Sequence, residues 1–305
     1  MACSLRKGDR LLFDLRRKKV PVAFLIRRNS MRKSSLSPFL VIFFVFLVGC
    51  AANPVTGKKE IRLVSTGQEV ALGKATAQQV VNEFGVYDDP KLHEYINEVG
   101  QKLVNVCERK EITYYFTVLD TPMVNAFAAP GGFIFVTRGI LKELDNEAQL
   151  AGVMGHEIGH VVYRHGAKRL EKAFGYQAII LLGEVFTKQD LSQLSQYTDF
   201  LFSLMLLGYS RQNEFEADNS GVRYSLAGGY DPRGMVQFFE KLKAMEKKPP
   251  SSFETLFRSH PPTGDRIERV QLYIDQVGLE DKELVSNQEK FKRFTQNLPA
   301  EKSTK

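Results

Sequence analysis

The sequence predicts a mainly helical α+β domain with a small β-sheet beside one apolar helix. Two observations carry this. Three short runs rich in β-branched and aromatic residues fall close together between 112 and 137, and from Asp145 onward the apolar residues recur with helical spacing. With 305 residues, 43% of them apolar, the chain can bury at least one sizeable core. Its 22 Phe and 11 Tyr exclude wholesale disorder.

The elements follow in order. Ser65 or Thr66 is placed to cap a helix running to about Glu83, and Asp88-Asp89-Pro90 opens a second that runs to about Cys107. Ile112–Leu119, Val124–Ala128 and Phe133–Thr137 are the strand candidates, the last two separated by the turn signal Pro130-Gly131-Gly132. Asp145–His165 reads as one helix, followed by the apolar stretches Ala178–Phe186 and Phe200–Leu207. Both are too short to span a bilayer, which takes about 20 residues, and are expected in the core. Further helices are expected over about Pro232–Lys247 and Asp265–Val277, with a loop over Lys247–Ser252. Residues 281–305 read as a polar tail, with about the last 15 of them frayed.

The N-terminal part has a different character. Residues 1–49 hold 11 Lys/Arg against two Asp, so the net charge of +7 belongs to the leader; residues 50–305 carry 31 basic against 33 acidic residues. No basic body remains to bind nucleic acid, and none is expected as a partner. Met31-Arg-Lys begins a positively charged start, and Pro38–Gly49 an apolar run ending at Cys50, in the manner of a secretory signal. The ending Leu47-Val48-Gly49-Cys50 resembles the bacterial lipobox, in which the cysteine is lipidated. The expected division is therefore an upstream extension over 1–30 with Met31 as the true start, a lipoprotein signal over 31–49, a lipidated tether over 50–60, a folded body over 61–280 and the tail. Several acyl chains on Cys50 would anchor the chain stably to a membrane. Ala51 after the cysteine resembles a signal for the outer membrane, with the inner membrane as the alternative. Of the other cysteines, Cys107 is expected as a small buried hydrophobe.

The chemistry is concentrated in two segments. Gly155-His156-Glu157-Ile158-Gly159-His160 sits in an otherwise apolar helix. At about 100° per residue, His156 and His160 share a face and can both bind one Zn²⁺, with Glu157 beside it as general base for water. Burying His, Glu and His together without a metal would be costly. His165, on the same helix, falls about 140° round from His160 and is expected off the metal face, either at the surface or standing behind a ligand. The third ligand is sought in Asn213-Glu214-Phe215-Glu216-Ala217-Asp218, which begins 53 residues beyond His160. Glu214 and Asp218 share a face, while Glu216 points the other way. Glu214 can ligate the zinc, and Asp218 can accept the free ring N–H of a ligand histidine. A His₂Glu set leaves the fourth position open, as catalytic zinc sites do.

Together His156–His160 and Tyr209–Asp218 resemble the HtpX/CAAX-prenyl-protease-like gluzincin metallopeptidases. Asn125–Val136 and Ser259-His260-Pro261-Pro262 are similar to further segments of that family, and the four occur in the family's order within residues 60–275. The Asn-Pro-Val-Thr-Gly stretch after Cys50 is similar to its periplasmic lipoprotein branch. The resemblance implies a zincin-like fold with one zinc per chain and polypeptide substrates. It also implies a substrate-binding edge strand at Asn125, Ala126, Phe127 and Ala128, where an extended peptide adds through main-chain hydrogen bonds. His260 is implied either as a stabiliser of the oxyanion or as the closing ligand of a latent zinc; Arg211 and Arg266 are candidates for orienting nearby carboxylates. The expected function is a zinc metalloendopeptidase at the periplasmic face of the bacterial outer membrane, cutting misfolded envelope proteins. The alternative is a zinc-bound chaperone or assembly factor for outer-membrane proteins that seldom cuts.

Overall fold

The computed structural model describes residues 49–175, 195–261, 264–279 and 282–299. The chain divides into two compact units, 1–47 and 48–305, and only the second contains described residues. The expected upstream extension, nearly all of the signal, and Ala178–Phe186 therefore lie outside them. Among the described residues no helix is long and apolar enough to cross a membrane.

A two-stranded antiparallel ribbon comes first, with β1 (Gly49–Ala52) paired to β2 (Lys59–Arg62), where a tether was expected. The Asn53 side chain closes its turn, its Oδ1 accepting from the backbone N–H of Val55 and Thr56. Helix α1 (Thr66–Phe84) begins at a capping box in which Ser65 and Gln68 each accept from the other's backbone N–H. Helix α2 (Pro90–Val104) starts at Asp89, whose carboxylate caps Leu92 N–H, with Pro90 supplying the preset first turn.

The sheet has three strands, β3 (Tyr115–Leu119), β4 (Ala126–Ala129) and β5 (Phe133–Thr137), in the order β3-β5-β4. β3 runs parallel to the central β5, and β4 antiparallel to it. The β4–β5 turn is Pro130-Gly131-Gly132, and both glycines have positive φ, 77° and 102°. Short α3 (Arg138–Glu143) leads into α4 (Glu147–Val162), capped by Asn146 and buried along nearly its whole length. α4 lies across the sheet, touching β4 and β5, and against the long α7 (Arg211–Ala227). Gly155 and Gly159 make that approach possible. A Cβ on Gly159 would stand 2.7 Å from Ser220 Cβ, and one on Gly155 3.0 Å from Gly221 Cα.

Four expectations need correction. The helix expected over Asp145–His165 is two: α4 stops at Tyr163, Arg164 takes a left-handed φ of 59°, and α5 (His165–Phe174) restarts in a new direction. The loop expected over Lys247–Ser252 runs into a 3₁₀ turn (Ser251–Phe253) and a short helix, α9 (Glu254–Ser259), which delivers His260. The C-terminal stretch is docked, with α11 (Gln288–Thr295) burying Phe291 to 1% exposure and stacking Phe294 on Tyr95 at 4.3 Å. Its apolar residues Phe291, Phe294 and Leu298 recur at helical spacing, which the polar average of the segment conceals. Residues 49–62 form the ribbon described above. Of the remaining helices, α8 (Arg233–Met245) and α10 (Gly264–Val277) match their expected places, while α6 (Ser195–Met205) begins five residues before the expected stretch Phe200–Leu207.

Candidate metal centre

His156 and Glu157 on one turn of α4 and His160 on the next are all buried, with Glu157 only 2% exposed. α7 brings Glu214 to the same point from its first turn, where Ser210 caps the helix by accepting from Asn213 N–H. His260 arrives from the end of α9. One nitrogen or oxygen of each of His156, His160, Glu214 and His260 lies within 4.8 Å of all the others, a buried group that can hold a metal ion. Nε2 of His156 is 3.0 Å from Nε2 of His160 and 3.3 Å from Nδ1 of His260. Glu214 stands 3.7 Å from His156 Nε2, 3.6 Å from His160 Nε2 and 3.1 Å from His260 Nδ1.

These spacings fit zinc. Two ligand atoms at about 2.0–2.1 Å from a tetrahedral zinc stand about 3.3 Å apart. The hydrogen bonding points the same way. Asp218 Oδ1, acceptor only, is 2.8 Å from His156 Nδ1, which therefore carries the proton and leaves Nε2 as a lone pair aimed at the cluster. The buried Oε1 of Glu214 has no hydrogen-bond partner, an uncompensated acceptor that a cation would satisfy.

The electrostatics follow from burial and from Arg266, which α10 inserts as the guanidinium behind two carboxylates. Its Nη2 and Nε donate to Asp218 at 2.7 and 2.8 Å, and Nη1 lies 3.0 Å from Glu214. Burial alone would raise the Glu214 carboxyl; His260 and Arg266 outweigh it and bring it down to about 2. Asp218 is likewise held low, mainly by Arg266 against its own burial. Glu157 differs, because burial pushes its carboxyl up and the nearby cations only partly offset this. His260, 3.7 Å from Glu157, is disfavoured as a cation by burial but pulled up by Glu214 and Glu157. A cavity of about 30 Å³ borders Glu157 and is lined by Ala126, Ile140, Val153, Phe239 and His260; one water needs roughly 10–15 Å³.

The other expected site residues fall as follows. Ala126–Ala128 are in β4, at the edge of the three-stranded sheet among the described residues, and Ala126 shares the cavity with Glu157. Asn125 sits just before the strand with its backbone tied to Thr137 and its Oδ1 3.4 Å from Ser259 Oγ. All four residues are buried here. Arg211 is exposed on the first turn of α7. Cys50 lies in β1, and Cys107 is a free, buried thiol.

One contact was not anticipated, and one alternative was decided. Tyr209 stacks on His160 with centroids 4.2 Å apart, and its only sequence signal is its place just before the Glu214 segment. His165, expected at the surface or behind a ligand, is behind one: it is 3% exposed with Nδ1 2.8 Å from His160 Nδ1. The left-handed Arg164 is the reason, since it turns the chain so that His165 swings back behind His160. A non-glycine residue held there costs roughly 1–3 kcal/mol. Arg164 is held by hydrogen bonds to Glu69 (2.7 Å) and to Val64 O (2.7 Å), and Glu69 also binds Arg109 (2.8 Å).

A mainly helical zincin-like domain with a buried His/Glu cluster that can hold a metal ion, and a glutamate beside it, is the arrangement that metallopeptidase chemistry needs. Comparison with known proteins agrees. The model for Peptidase family M48 matches residues 90–274. The β-barrel assembly-enhancing protease of Escherichia coli K12 is 31% identical over 196 residues, covering 62% of this chain and 40% of that protein. The mitochondrial metalloendopeptidase OMA1 of Schizosaccharomyces pombe is 27% identical over 228 residues, 73% of this chain and 66% of that protein. The OMA1 of Arabidopsis thaliana is 30% identical over 187 residues, 61% and 36% respectively. The chain belongs to peptidase family M48. It spans less than half the length of the β-barrel assembly-enhancing proteases it matches.

Proposed function

We propose that the chain is a zinc metalloendopeptidase, held by lipid at Cys50 on the periplasmic face of the bacterial outer membrane, that cuts misfolded envelope proteins. The observation that carries the reading is the convergence of His156, His160 and Glu214 on one point, with Glu157 beside them.

His156, His160 and Glu214 would hold the zinc, with Asp218 fixing the proton on His156 Nδ1. When bound, zinc supplies a Lewis acid for the scissile carbonyl and lowers the pKa of water. Glu157 then takes a proton from the attacking water and passes it to the leaving amine as the C–N bond breaks. A carboxyl pushed up by burial suits both halves of that transfer. The edge strand β4, whose Ala126 borders the cavity at Glu157, is where an extended substrate would add. His260 lies at ligand distance from the same cluster, which favours a latent form in which it fills the fourth position.

The envelope setting rests on the signal-like segment ending at Cys50 and on the bacterial relatives, whose printed name joins a protease to β-barrel assembly. That name keeps the chaperone reading as the second one. The test is cleavage of unfolded casein by zinc-loaded wild type and Glu157→Gln. The expected result is cleavage by wild type and none by the variant, with zinc retained in both. Stoichiometric zinc with no cleavage by wild type or by His260→Ala moves the assignment to the chaperone. Loss of membrane association in Cys50→Ser is expected, and its retention would remove the lipid anchor.

A further inference from the structure

The two histidines of α4 are supported from behind in different ways. His156 meets a carboxylate directly, at 2.8 Å from Asp218. His160 meets another imidazole, its Nδ1 2.8 Å from His165 Nδ1, while His165 Nε2 lies 3.0 Å from Glu216 Oε2. Glu216 also accepts from Gln212 Nε2 at 3.0 Å. Both imidazoles are clamped by rings, His165 by Tyr163 (5.4 Å, 15° between planes) and His160 by Tyr209 (4.2 Å, 22°).

The proton positions follow from these partners. A carboxylate only accepts, so the N–H of a neutral His165 is on Nε2, facing Glu216. Its Nδ1 is then a lone pair, and the hydrogen bond at 2.8 Å requires the proton on His160 Nδ1. That leaves His160 Nε2 as a lone pair directed at the His156–Glu214 cluster. We propose that Glu216–His165–His160 is a positioning relay that holds His160 in the tautomer and orientation needed to ligate the metal. It does for one ligand through a bridging imidazole what Asp218 does directly for the other. The inference rests on the zinc reading above.

The relay and a mere packing role make opposite demands on position 165. Phenylalanine keeps the ring and its stacking on Tyr163 but offers His160 no acceptor. Asparagine loses the ring but has its Oδ1 near the place of Nδ1. The experiment measures the zinc dissociation constant of the full chain by chelator competition, together with the visible absorption of the cobalt(II) form. Wild type, His165→Phe, His165→Asn and Glu216→Ala are compared, and melting of each zinc-free protein checks that it folds. The relay predicts zinc binding weakened about 10–100-fold in His165→Phe, with an altered cobalt spectrum, and near-wild-type values in His165→Asn. Glu216→Ala falls between. Wild-type affinity in a folded His165→Phe, or His165→Asn no better than it, overturns the relay. If His165→Phe does not fold, wild-type affinity in Glu216→Ala overturns it. A wild type that takes up no zinc overturns both this inference and the metallopeptidase reading, whereas one that binds zinc and cuts nothing strikes only the latter.

Discussion

Two buried clusters of charged and polar side chains lie close together in this protein, and they are built on opposite rules. In the first, Glu69 sits between Arg109 and Arg164, with carboxylate oxygens 2.7–2.8 Å from guanidinium nitrogens. Arg109 also donates to Val161 O, and Glu69 accepts from Gly131 N–H. Positive meets negative here, and of the two guanidinium groups only Arg164 Nη1 lacks a hydrogen-bond partner. In the second, the His156, His160 and Glu214 atoms confront one another as acceptors, and a glutamate oxygen has no partner. Equal burial thus has different meanings. The first cluster fixes the backbone, whereas the second has the makings of a cation site. They are also linked, because Arg164 of the first is the left-handed residue that directs His165 to the second.

The sharpest separation is in activity. Glu157→Gln is expected to lower cleavage by about 10²–10⁴-fold, the usual worth of a general base, with the melting temperature almost unmoved. Glu69→Ala should do the reverse in kind. Removing one partner of a buried ion pair costs about 3–5 kcal/mol of stability, measurable by urea denaturation, and zinc affinity should fall with it as Arg164 loosens. Chelation distinguishes the clusters again. Zinc at a thousand times its dissociation constant stabilises a native site by about 4 kcal/mol, so wild type and Glu69→Gln should both lose stability on chelation, whereas Glu214→Ala should respond little. Gly159→Ala forces α7 off α4 and should cost about 1–3 kcal/mol, as overpacking does. The smallest effect is in pH. Burial would raise the Glu69 carboxyl, but Arg109 and Arg164 outweigh it and lower it below 4.5. A depressed carboxyl stabilises the fold above its unfolded value, and the contribution is lost as pH falls through the folded one. The stability gap between wild type and Glu69→Gln should therefore narrow below about pH 4.5; a constant gap would mean that the charge of Glu69 is not what holds the cluster.

Much of this was legible in the sequence for local reasons. Ser65, Asp89 and Asn146 cap helices because their short side chains reach backbone N–H groups two or three residues on, which depends on no distant contact. His156 and His160 are four apart on a helix, and Glu214 and Asp218 repeat that spacing on another, so their shared faces could be read directly. What failed depended on distant residues. Nothing near Arg164 announces a left-handed turn, since its reason is Glu69, 95 residues earlier. The approach of α7 to α4 is written in Gly155 and Gly159, but their partners Gly221 and Ser220 are some 60 residues away. The docking of α11 rests on Tyr95 and on Glu147, to which Asn287 donates at 2.9 Å. Strand β4 lies between these cases: its residues were readable as a strand, but its place at the edge of the sheet is set by pairing with β5.

The central claim is that the second cluster is a zinc site and the first is not. Anomalous diffraction at the zinc edge, from crystals of the zinc-loaded chain, tests this most directly. The account predicts one peak, bonded at about 2.0–2.2 Å to His156 Nε2, His160 Nε2 and a Glu214 oxygen. No peak there under stoichiometric zinc, or a zinc bound elsewhere with His156 and His160 uncoordinated, would contradict it.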